Sequence, residues 1–210
     1  MFLLGLTGSI GMGKSTAASG FRSFGIALFD SDRAVHRLFA PGGAAVDEVA
    51  AAFPGCLDRA GGIDRGALGR QVFDDPARLM VLERIVHPLV RAGQRRFLAH
   101  CCAQGRRLVV LDVPLLYETG GERLVDAVAV VSTQAAIQAQ RVLRRPGMTQ
   151  ERLAAVQRRQ LPDRDKRRRA DFVIRTGLDL RQHKVAIAGV IDATRTHQGR
   201  AWPHRWPLTG

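Results

Sequence analysis

The sequence predicts an α/β fold: a parallel β-sheet with helices on both faces. Two observations predict it. Short apolar runs with strand character recur along the chain, and longer stretches with helical periodicity separate them. The first of these runs leads directly into a glycine-rich turn and then a helical pattern, the junction of a strand–loop–helix unit. A length of 210 residues, 46% of them hydrophobic, suits one large domain or a core that carries an insertion.

Taken in order, Phe2–Leu6 is the first predicted strand. Ser15-Thr16-Ala17-Ala18 opens the first helical pattern, and Gly25 fits the position just past its end, where a left-handed residue stops a helix. Ile26–Phe29 is the second strand, and Asp30-Ser31-Asp32 follows it at the head of a helix from Arg33 onward. From there to Leu108 the chain carries no strand signal and is too long for a loop, so it reads as helical. Ala44–Phe53 has a helical period. Asp75-Pro76 supplies an N-cap with proline at the first helical position, and Leu79, Leu82, Ile85 and Val86 continue at helical spacing. His87-Pro88 marks a predicted boundary, because a residue before proline avoids the helical region. A separate helix is predicted from Leu89 to about Ala103, with Gly105 beyond its end. Leu108–Val113 and Ala127–Val131 are the third and fourth strands. Gln134–Arg145 is helical, Pro146-Gly147 breaks it, and Thr149 caps the next helix. Phe172–Ile174 is the fifth strand. The tail from about Thr196, with Trp202-Pro203 and Trp206-Pro207, reads as irregular and without order of its own.

The sharpest chemical signal is Gly8-Ser9-Ile10-Gly11-Met12-Gly13-Lys14-Ser15, which fits G-x-x-x-x-G-K-[ST] at every fixed position and lies between a strand and a helix. Glycines let the backbone curl so that several N–H groups face one anion, and the helix N-terminus adds partial positive charge at the same place. The segment predicts a P-loop NTPase-type sheet that binds a nucleoside triphosphate. Gly11, Met12, Gly13, Lys14, Ser15 and Thr16 would hold the phosphates, Lys14 would reach the β- and γ-phosphates, and the Ser15 hydroxyl would ligate Mg²⁺. Asp30 and Asp32 stand at the carboxyl end of the second strand, where open parallel sheets bind ligands. One of the two carboxylates is accounted for by capping the next helix; Asp32 is the candidate to accept or orient a proton of an attacking hydroxyl. Asp112 ends the third strand and is a candidate for a magnesium-bound water. No second carboxylate follows it to activate water, which argues for transfer to a bound acceptor rather than hydrolysis. Arg141, Arg144 and Arg145 share one helix face beside the Pro146-Gly147 break. That arrangement predicts a basic lid from about 141 to 165, with Arg141 the leading candidate to neutralise charge on the transferring group. The run Arg164–Arg169 reads as surface rather than site, with the exception of Lys166.

Composition narrows the partners. The formal charge is +13, but much of the excess lies between Arg158 and Arg169, and aromatics are only 6%. No stacking platform interleaves with the basic run, so no specific nucleic-acid partner is predicted. No apolar run is long enough for a membrane span, and the N-terminus lacks the features of a signal peptide. Three cysteines without a secretion signal read as reduced thiols, which predicts a cytoplasmic protein. The scattered histidines His36, His100, His183, His197 and His204 match no metal-ligand spacing, and Cys56 has no assigned role. Nothing in the sequence sets an oligomeric state.

The ordered set of motifs resembles dephospho-coenzyme A kinases. The opening T-G-x-I-G-x-G-K-S-T is Thr7–Thr16, and the D-x-D after the second strand is Asp30 and Asp32. The central H-P is His87-Pro88, and P-L-L-[FY]-E is Pro114–Glu118. Later elements are Gln160 with Pro162, Lys166, and Ala170–Ile174. One position departs: where the family usually carries Asn after the last strand, this chain has Thr176. The resemblance implies one P-loop kinase domain over 1–196. Its core would be 1–35 and 106–195, with a helical substrate-binding insertion at about 40–104 and an irregular tail at 197–210. It implies transfer of the γ-phosphate of ATP to the ribose 3′-hydroxyl of dephospho-CoA, with Mg²⁺, giving CoA and ADP. His87, Pro114, Leu115, Leu116 and Glu118 would then lie near the acceptor, together with Asp30 and Asp32. A related kinase of nucleoside monophosphates or another small alcohol is the alternative, and a nucleotide-dependent nucleic-acid binder a more distant one.

Overall fold

The computed structural model describes residues 1–73, 75–177 and 180–206. Phe2–Thr7 forms β1 and Lys14–Ser23 forms α1. Ala27–Asp30 is β2 and Ser31–Phe39 is α2. Three helices follow: α3 at Val46–Ala52, α4 at Arg65–Val72 and α5 at Pro76–Ala103. Leu108–Asp112 is β3, Gly121–Leu124 is a 3₁₀ turn, and Ala127–Ser132 is β4. Ala135–Leu143 is α6, Gln150–Arg159 is α7 and Asp163–Arg169 is α8. Phe172–Arg175 is β5 and Leu180–Arg195 is α9.

The five strands form one sheet in the order β2-β3-β1-β4-β5. The pairings of β1 with β3, β1 with β4 and β4 with β5 are all parallel. β1 and β4 are central and buried along their whole length, so they read as continuous apolar runs rather than alternating ones. The main core gathers Leu4 and Leu6 of β1, Ala17, Ala18 and Phe21 of α1, and Ile187, Val190 and Ile191 of α9. This order puts the end of β1 beside the ends of β3 and β4, and the loop after β1 opens there.

Local signals explain most boundaries. Gly25, at φ 72°, terminates α1, and Ile26 N donates to Phe21 O at 3.2 Å behind it. The Asp75 carboxylate accepts from Arg78 N at 3.0 Å and the Thr149 hydroxyl from Arg152 N at 3.3 Å, so both predicted caps are made. Helix α4 is an element the sequence reading passed over. It starts where Asp64 Oδ1 accepts from Gly66 N at 2.8 Å and Ala67 N at 3.1 Å.

Two expectations change. The predicted boundary at His87-Pro88 is absent, and α5 runs unbroken from Pro76 to Ala103. Proline removes one hydrogen bond and crowds the preceding turn, which costs about 3 kcal/mol in a helix interior. Ile85 and Val86 before it, and Leu89 and Val90 after it, all pack into one apolar cluster. That burial on both sides of Pro88, at about 1.5–3 kcal/mol for each large side chain fully covered, outweighs the loss. The tail is also anchored rather than loose as far as it is described. Ala201 and Trp206 are buried, and Trp206 Nε1 donates to Leu124 O at 2.8 Å. The Asp126 carboxylate accepts from Arg200 N, Ala201 N and Leu3 N at 2.7–2.8 Å, tying the tail to the start of β1. Residues 207–210 lie outside the described part.

The chain divides into two compact units, residues 1–29 with 98–210 and residues 30–97. The first holds the sheet and its core. The second has its own apolar cluster, built around Phe39, Val49, Phe53, Leu68 and Ile85. Among the described residues no helix is long and apolar enough to cross a membrane.

Candidate active site

The phosphate loop takes the shape its sequence predicts. After β1 the chain turns with Met12 N donating to Ser9 O at 3.2 Å. Gly13 sits at φ 88°, a left-handed conformation that disfavours any other residue. Thr16 N and Ala17 N then donate to Gly13 O at 3.0 and 3.2 Å and open α1. That helix start has no side-chain cap and no acidic residue in its first turn. An uncapped helix N-terminus with its dipole favours an anion there. Ser15 and Thr16 are exposed in the same turn. Lys14 Nζ lies 2.6 Å from Asp112 Oδ1 at the end of β3, with Asp112 only 3% exposed. Asp112 thus holds the loop lysine directly.

Side chains from three other segments brace the loop. Ile10 N donates to Gln160 Oε1 at 3.0 Å, and Ile10 O accepts from Gln138 Nε2 at 2.8 Å. Gln157 Nε2 donates in turn to Gln138 Oε1 at 3.2 Å. The peptide groups on both sides of Ile10 are thereby held by amides from α6 and the end of α7. Arg141, half-buried on α6, donates from Nη1 to Thr176 Oγ1 at 3.1 Å, and that hydroxyl donates to Met12 O. Helix α6 ends at Leu143, short of the predicted Arg145, so Arg144 is its C-cap and Arg145 lies past it, and both are exposed. Sequence reasoning noted Gln160 only as part of a motif and passed over Gln138. An amide beside a loop leaves no periodic signal.

The Pro114–Glu118 segment follows β3. Pro114 O accepts from Thr7 Oγ1 at 3.0 Å, and Leu115 is exposed. Leu116 is buried, and a Cβ on Gly5 would stand 2.7 Å from its Cδ2, so the leucine would have to shift to admit any other residue in β1. Tyr117 is buried with no hydrogen-bond partner for its hydroxyl. Burial, aided by the carboxylates of Asp171 and Glu122, pushes its phenol up to about 12. Glu118 Oε1 accepts from Leu161 N at 2.8 Å and pairs at 2.8 Å with Lys166 Nζ. Lys166 is fully buried, unlike its neighbours Arg167, Arg168 and Arg169. The run read as surface contains one inward lysine, which secures the Glu118 segment to α8.

The second unit carries the other predicted residues. Asp30 caps α2, its Oδ1 accepting from Arg33 N at 2.9 Å. Asp32 stands exposed in the first turn of α2, where the helix dipole favours a carboxylate. His87 is exposed on α5.

The cysteines Cys56, Cys101 and Cys102 are free thiols, and burial raises the pKa of the first two. Among the described residues no group of three or more histidine, cysteine, aspartate or glutamate side chains is placed to hold a metal.

Residues 2–181 match the model of the dephospho-CoA kinase family. A dephospho-CoA kinase of Mesorhizobium japonicum is 51% identical over 199 residues, covering 95% of this chain and all of that protein. One of Paramagnetospirillum magneticum is 62% identical over 167 residues, covering 80% of this chain and 78% of that protein. The crystal structure of TT1252 from Thermus thermophilus superposes with a TM-score of 0.81 at 33% identity, covering 93% of this chain and 98% of that one. With its phosphate loop formed and its sheet in place, the chain belongs to the dephospho-CoA kinase family.

Proposed function

We propose that this protein transfers the γ-phosphate of ATP to the ribose 3′-hydroxyl of dephospho-CoA, giving CoA and ADP, the last step of coenzyme A synthesis. The observation that carries the reading is the 51% identity to a dephospho-CoA kinase along that relative's whole length. In this scheme the loop from Gly11 to Thr16 binds the triphosphate, with Lys14 exchanging Asp112 for a phosphate oxygen as the nucleotide enters. Arg141 neutralises charge that spreads over the transferring group. Asp32, exposed in the first turn of α2, orients or deprotonates the acceptor hydroxyl. Asp30, His87, Pro114, Leu115, Leu116 and Glu118 serve acceptor binding. Asp30 also caps α2, and Leu116 supports that segment from the core.

The site fits Mg²⁺ held mainly by the nucleotide. Ser15 offers one exposed hydroxyl beside the phosphate position and Asp112 one carboxylate. Mg²⁺ favours this arrangement of few protein ligands plus phosphates and water over an all-protein cage. When bound, it would neutralise negative charge on the β- and γ-phosphates. The free thiols support a reducing, cytoplasmic setting. A panel of acceptors tests the reading. Dephospho-CoA should be phosphorylated with a kcat/KM far above those of nucleoside monophosphates and simple alcohols; preference for another acceptor would refute it.

A further inference from the structure

We propose that Thr176 is a positioning residue for phosphoryl transfer, acting by fixing the Arg141 guanidinium against the phosphate loop. The inference rests on the phosphotransfer reading above.

Thr176 follows β5 and is 6% exposed. Its backbone is not free to drift, because Thr176 N donates to Ser132 O at 2.9 Å. Its hydroxyl makes two bonds of different sense. It donates its one proton to Met12 O within the phosphate loop, and it accepts from Arg141 Nη1 at 3.1 Å. A hydroxyl carries one proton and two lone pairs, so this pairing commits the proton and one lone pair. The β-branched side chain restricts χ1, which keeps the hydroxyl aimed at both partners.

The third corner is Gly13. A Cβ there would stand 2.7 Å from Thr176 Oγ1 and 3.1 Å from Arg141 Nη1. The guanidinium therefore rests against the glycine that begins the phosphate-binding helix, and the close approach exists only because that residue has no side chain. Arg141 spends one of its five N–H donors on Thr176 and keeps four for other acceptors. A long, flexible side chain held this way is pre-oriented before a nucleotide binds, which is the condition for electrostatic catalysis without reorganisation. Thr176 touches no reacting atom in this scheme; its effect passes through Arg141.

The test is a double-mutant cycle in the 210-residue chain, using Thr176→Val, Thr176→Ser, Arg141→Ala and the Arg141→Ala/Thr176→Val pair. CoA formation and the affinity for a fluorescent ATP analogue without acceptor are both measured. Valine preserves shape and removes the hydroxyl, whereas serine restores it. Thr176→Val should lower kcat by about tenfold or more with little change in the dephospho-CoA KM, and Thr176→Ser should stay within about threefold of wild type. In the Arg141→Ala background the valine should cost less than about twofold. Effects that multiply, a harmless Thr176→Val, or serine as damaging as valine would overturn the proposal. A protein that makes no CoA would refute the function reading alone. The same cycle on nucleotide affinity would still decide this inference, coupling supporting it and additivity overturning it.

Discussion

Lys14 meets a partner before any nucleotide arrives. Asp112 is almost fully covered, and the 2.6 Å pair with Lys14 helps to hold a carboxylate at the end of a buried strand. Lys14→Met should therefore do two things: abolish turnover, and destabilise the fold by about 1–3 kcal/mol because a covered carboxylate loses this cation. Adding Asp112→Asn should return part of the melting temperature and none of the activity. If Lys14→Met melts like wild type, the pair contributes nothing to folding. Tyr117 gives a second prediction at this scale, because it is the only tyrosine in the sequence. Its phenol has a pKa of about 12 in the folded state against an ordinary 10.0. The stability this gives is complete below the ordinary value and is lost as pH rises through the folded one. Absorbance titration of the native protein should find the phenolate appearing near pH 12; a midpoint near pH 10 would place the ring in solvent. The phosphate loop was legible residue by residue, because its spacing encodes a backbone shape. The Lys14–Asp112 pair was not: two side chains far apart in sequence meet only once β1 and β3 lie side by side.

At the scale of elements, α5 is the instructive case. All five strands fall within a residue or so of the positions their apolar runs predict, because a short buried run between turn signals has few alternatives. The helix through Pro88 does not follow its local signal, since the packing of Leu89 and Val90 with Ile85 and Val86 is a tertiary fact. Helix α4, with glycines at 66 and 69, was hidden by weak intrinsic propensity and is disclosed only by its Asp64 cap. Pro88 is exposed on an otherwise continuous helix, so Pro88→Ala should restore a backbone hydrogen bond and raise stability by about 1–3 kcal/mol in urea unfolding. A loss of stability would show that the helix depends on the proline's geometry.

At the scale of the molecule, two compact units each have a core, and the first is closed by its own C-terminal tail. The Asp126 carboxylate links the tail to β1, and Trp206 seals the 3₁₀ turn after β3. Trp206→Ala should cost about 3 kcal/mol by chemical denaturation, the range for emptying a buried aromatic site. An unaffected midpoint would mean that the tail is an ornament. The tail's anchoring was illegible in sequence because tryptophan next to proline carries no periodicity. The assignment to a fold and family was legible, because the motifs occur in a fixed order along a chain whose strands alternate with helices. The account as a whole is settled by one experiment: purified protein, ATP, Mg²⁺ and dephospho-CoA, with CoA and ADP quantified together. The account predicts one CoA for each ADP formed. ADP accumulating without CoA would contradict it.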